Sequence, residues 1–290
     1  MFCRMIPALI VFLGCSEINV PTPPIVSRLP ISSPTTPSHP PALTNNVPKA
    51  ADRDSSWLEV GPQGFHFHLS VHFTTDQDTS AFRYGWKSER FVVRPGDCFG
   101  SDCSRTPVYE RKEFGETDEG LAKEGDDVWY GWSFYVPIES HQSWVFFGQI
   151  MQPPAIGNSH EPLWMFLKRQ GQPFCMIFDF THTFTYNPWE CIGSNIRLLE
   201  DTEFKGQWHD VVLHIKYSSS NENGLTEVWV NGLFKGRYQG YTLLPNRKGA
   251  VMKYGIYRTA SNQTTIAFYD ELRKGKTREE VDIRVLTAGR

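Results

Sequence analysis

The chain of 290 residues sets 29 Lys and Arg against 32 Asp and Glu, a formal charge of −3. It is long enough for one sizeable core and too weakly basic for a nucleic-acid binder, so any polyanionic partner must be met by local cations. Aromatic residues make up 14%, with nine Trp and twenty Phe; such rings fill sandwich cores or stack on sugars, the core being the default.

Residues 1–15 read as an export signal: Arg4, an apolar run from Ile6 to Leu13 broken by Pro7, then Gly14-Cys15. The stretch resembles a bacterial lipoprotein signal, and the run is too short to span a bilayer. Phe12 stands where such signals carry an aliphatic residue, so lipidation at Cys15 and ordinary secretion are both open. Either route takes the protein out of the cytoplasm, to the outer surface or periplasm as a lipoprotein or into the medium. From residue 16 to 51 the chain is Pro, Ser and Thr with scattered aliphatics, a composition that cannot bury a core and reads as a disordered tether.

The folded domain is expected over 52–290. Phe65, Phe67, Leu69, Val71 and Phe73 alternate with His66, His68, Ser70 and His72, the pattern of a half-buried strand. Similar runs occur at 90–93, 128–136, 145–151, 163–168, 174–180, 210–217, 225–230, 250–257 and 265–269. Asn231-Gly232 predicts a hairpin turn, and a helical turn is expected only near 277–281. About ten strands imply an all-β, two-sheet antiparallel sandwich. Outside the signal, with its Cys3 and Cys15, four cysteines fall as local pairs, Cys98 with Cys103 and Cys175 with Cys191. Two disulfides are the simplest reading and a zinc site the rival.

The chemistry concentrates in Val251-Met-Lys-Tyr-Gly-Ile-Tyr-Arg258. On a strand, Lys253, Gly255 and Tyr257 share one face, a cation, a gap and a phenol, while Tyr254, Ile256 and Arg258 take the other. The stretch resembles the K-x-G-x-Y-R strand of the heparin lyase I-like and glucuronan lyase-like polysaccharide lyases. Phe91-Val-Val-Arg-Pro-Gly-Asp-Cys98 with Tyr109-Glu-Arg-Lys-Glu-Phe114 resembles their F-x-x-R-x-G-D-C and R-E-R-S-E-L passage, with Lys112 for Ser and Phe114 for Leu. Val128-Trp-Tyr-Gly-Trp-Ser-Phe-Tyr-Val-Pro137 resembles their W-Y-G-W-S-I-Y-L-P strand; its face of Trp129, Gly131, Ser133 and Tyr135 is expected to pack in the core.

The resemblance implies a concanavalin A-like β-jelly roll and β-elimination on a uronate glycan. Tyr257 would be the proton-transfer residue with Lys253 beside it, and Arg111 and Gln149 would neutralise the substrate carboxylate. Arg258, Tyr254 and His182 would touch the substrate, and Lys253 or Arg258 would help Tyr257 to ionise if the fold brings either one close. The alternative for Arg111 is a structural ion pair with Glu113. Relatives carry Gln-x-His where this chain has Gln149 and Met151, and Met151 cannot transfer a proton. Three outcomes follow: Tyr257 performs both proton steps, another histidine such as His182 or His160 enters the groove, or the protein binds glycan without cleaving it. His66, His68 and His72 share a face and read as a solvent-facing strand rather than a metal site. Trp208-His209-Asp210 reads as structural, and no E-x-D-x-x-E run supports glycoside hydrolysis. The expected partner is an anionic polysaccharide, met by a monomer with no nucleic acid and no membrane contact beyond the lipid anchor. No cofactor is required, and calcium is not indicated.

Overall fold

Alternating apolar and polar residues become fourteen strands in a computed structural model that describes residues 67–68, 76–154, 161–178, 191 and 195–288. The front sheet holds seven of them: β1 (Phe67–His68), β4 (Tyr109–Glu116), β6 (Trp144–Gln152), β7 (Glu161–Arg169), β8 (Phe174–Phe178), β9 (Ile196–Leu199) and β13 (Val251–Thr259). Their order is β1-β4-β13-β6-β7-β8-β9. The back sheet, in the order β12-β11-β10-β5-β14-β3-β2, is built from β2 (Asp76–Asp78), β3 (Ser88–Val93), β5 (Asp127–Tyr135), β10 (Trp208–Lys216), β11 (Leu225–Val230), β12 (Leu233–Gln239) and β14 (Thr265–Gly275). Every pairing is antiparallel, which gives the expected all-β two-sheet sandwich.

Between the sheets lies one continuous core. Val128, Tyr130, Trp132 and Phe134 of β5 meet Phe147 and Ile150 of β6, Trp164 and Phe166 of β7, and Tyr254 and Ile256 of β13. The expected inward face of β5 is therefore corrected: Trp129, Gly131, Ser133 and Tyr135 point outward. Trp129 stacks on His214 with centroids 4.1 Å apart, Ser133 donates to Asp210 at 2.8 Å, and Gly131 lies under Val281 so closely that a Cβ would strike its carbonyl. The segment after β14 thus covers the back of the sandwich, giving β5 two buried faces and hiding which one faces the core. The helical turn is displaced from the expected 277–281 to Ile283–Leu286, because Asp282 supplies the N-cap, accepting from the Arg284 amide.

The Asn231-Gly232 turn joins β11 to β12 with φ of 54° and 78°, as a two-residue hairpin requires. Both local cysteine pairs are disulfides, Cys98–Cys103 with Cα atoms 5.2 Å apart and Cys175–Cys191 at 5.8 Å. His209 is fully buried, and burial pushes its imidazole down to about 4, consistent with a structural role.

Candidate active site

The outer face of the front sheet gathers the chemistry. β13 is flanked by β4 and β6, with Tyr257 opposite Arg111, Gly255 opposite Glu113, and Lys253 between Gly115 and Gln149. Tyr257, Lys253, Arg111 and Gln149, expected to act together, thus share one surface. To the β7 and β8 side that surface is closed by an apolar cluster of Phe146, Met165, Leu167, Cys175 and Ile177, with Cys191 drawn against it by its disulfide.

Tyr257 sits in an aromatic cradle, its ring centroid 5.1 Å from Tyr109 and 5.9 Å from Phe146. The Arg111 guanidinium lies over the ring, with Cζ 4.1 Å from the centroid. Burial pushes the phenol up, and although Arg111 pulls the other way the result is about 12. Neither Lys253 nor Arg258 is among the charges that act on it, so the help expected from them does not arise and the phenol stays protonated at neutral pH.

Arg111 itself is not open to a carboxylate. Its Nε and Nη2 donate to both oxygens of Asp102 at 2.5 and 2.7 Å, and its Nη1 reaches Glu113 at 3.4 Å. The structural ion pair with Glu113 thus exists, but Asp102 is the stronger partner. Gln149, 4% exposed, donates from Nε2 to Glu113 at 2.7 Å. A chain of contacts Asp102–Arg111–Glu113–Gln149 therefore runs from the 3₁₀ turn across β4 to β6. Lys253 differs, making no ion pair among the described residues. Its stem lies on Gly115, with Cγ and Cε each 3.5 Å from where a Cβ would be. A Cβ at 115 would meet this stem in ordinary van der Waals contact.

Two assignments are corrected. Arg258 is 1% exposed and faces the core, donating to Glu110 at 2.9 Å and Thr265 at 2.7 Å; Tyr254, also 1% exposed, donates to Glu89 at 2.5 Å. Strand alternation turns both away from the groove, so neither contacts substrate there. Gly255 is not a gap for a ligand either. It sits at a bulge between β13 and β6 with φ of 127°, and a Cβ would collide with the Lys112 carbonyl and lie 2.9 Å from both Glu113 Cα and the Phe91 ring. Gly255→Ala is expected to lower stability by about 2–4 kcal/mol, read from the urea midpoint.

Met151 occupies the position expected of a histidine and is 8% exposed. His182 and His160 lie outside the described residues. The register supplies a different histidine: His68 of β1 pairs with Gly115, which pairs with Lys253, which pairs with Gln149. One cross-strand row thus reads His68, Gly115, Lys253, Gln149. Local sequence had set His68 only in an exposed triplet with His66 and His72; the missing signal was the long-range pairing of β1 with β4.

Residues 62–273 match the family model for polysaccharide lyases. The chain belongs to the polysaccharide lyase family. Among solved structures similar to this polysaccharide lyase is the endo-β-1,4-glucuronan lyase of the fungus Trichoderma reesei, 18% identical over 75% of this chain and 92% of that one, with a TM-score of 0.57. Another is alginate lyase A1-II′, a member of polysaccharide lyase family 7, 14% identical over 72% and 84% of the two chains, TM-score 0.50. At such identities the likeness is one of fold, that of the expected jelly roll. No protein with a curated description matches the chain in sequence.

Proposed function

We propose that this polysaccharide lyase is exported and cleaves a uronate-containing polymer by β-elimination across the outer face of the front sheet. The observation that carries the reading is the row His68, Gly115, Lys253, Gln149 with the protonated Tyr257 four residues further along β13. In the reaction the substrate carboxylate lies against the Lys253 ammonium and the Gln149 amide, which stabilise charge developing as the neighbouring C5–H is lost. A base on the same face takes that proton, the electron pair forms the C4–C5 double bond, and the C4–O4 bond breaks; the backbone register makes His68 the residue assigned to this step. The Tyr257 phenol hands its proton to the departing O4. Arg111 is a positioning residue, holding the phenol ring from one side. These steps move protons and one C–O bond, chemistry that side chains perform unaided. Export is supported by the leader-like residues 1–15 and by two disulfides in the folded domain.

Incubation with polyglucuronate and with alginate tests the proposal. The expected result is growing ultraviolet absorbance from the conjugated unsaturated uronate, and its absence with every uronan would overturn the reading.

A further inference from the structure

The Cys98–Cys103 disulfide closes a short ring around the 3₁₀ turn Gly100–Ser104, which carries Asp102 over β4. Asp102 is 4% exposed and takes the two-pronged edge of Arg111 with both carboxylate oxygens, geometry ordinarily offered to a substrate carboxylate or sulfate. The other charged groups near Tyr257 are few. Arg105 lies 6.0 Å from the Tyr109 ring, Lys253 stands along β13, and Glu113 contacts Arg111. Among the described residues, Arg105, Arg111 and Lys253 thus stand against Asp102 and Glu113. A heavily sulfated chain presents several anions per disaccharide and would need more cations than this.

Building on the proposed lyase reading, we propose that Asp102 is a specificity-determining residue: by occupying Arg111 it removes the cation that a sulfate would need beside Tyr257, and fits the groove to an unsulfated uronan. The Cys98–Cys103 ring is the device that presents it. Arg111 then steadies the ring of Tyr257 and leaves the single uronate carboxylate to Lys253 and Gln149.

The test is retardation of the full chain in native gels cast with polyglucuronate or heparin at one ionic strength. Tyr257→Phe in every arm keeps the polymer intact. The parent protein is expected to bind polyglucuronate at least about tenfold more tightly than heparin, and Asp102→Asn to shift that ratio about tenfold or more toward heparin. An unchanged ratio in an Asp102→Asn protein with parental thermal unfolding overturns the inference. So does a parent that prefers heparin, a result readable even if Asp102→Asn does not fold, and so does retardation by neither polymer. Because binding is read without turnover, the predicted preference in a protein that forms no unsaturated product would contradict the elimination chemistry alone.

Discussion

Replacing Tyr257 by Phe is expected to lower kcat on a uronan by roughly two to four orders of magnitude while leaving polymer binding and thermal unfolding near those of the wild type. The ring is held by Tyr109, Phe146 and the guanidinium of Arg111, all of which Phe retains, so what is removed is the hydroxyl proton alone. The alkaline limb of the pH profile provides an independent check. Burial raises this phenol to about 12, and a group raised that far stays protonated throughout the range from pH 7 to pH 10. If Tyr257 is the acid, kcat/KM does not fall through its ionisation in that range. If it were the base, activity would depend on a phenolate present at about one part in 10⁵ at pH 7 and would climb about tenfold per pH unit.

The second large effect is expected at His68. His68→Ala should reduce kcat by about 10²- to 10⁴-fold, whereas Met151→Ala should change it by less than about tenfold. The register places His68 beyond Gly115, on which the Lys253 stem lies. Met151 stands where the family resemblance led one to expect a histidine and has no proton to exchange. A full-rate His68→Ala enzyme would return both proton steps to Tyr257 or assign one to a histidine outside the described residues.

Strand alternation carried much of the fold in the sequence. Every apolar run from 90 to 269 that was read as a strand became one, and the Asn231-Gly232 turn and both disulfides formed as local spacing implied. The same alternation placed Lys253 and Tyr257 on one face, yet misled at Tyr254 and Arg258, where motif likeness outweighed a parity that turned both into the core. It misjudged β5 because the segment after β14 buries the face that alternation leaves outside. What stayed hidden was tertiary. Asp102 meets Arg111 because a turn folds back over β4, and His68 joins the row because β1 pairs with a strand more than forty residues away. Neither contact has a local signature, and both alter the chemistry assigned to the site.

Mass analysis of a polyglucuronate digest tests the central claim most directly. Elimination requires every newly formed non-reducing end to be lighter by one water than a hydrolytic end, with the C4–C5 double bond in that terminal residue, and this is the predicted result. Saturated ends, or a polymer left at its original length, would contradict it.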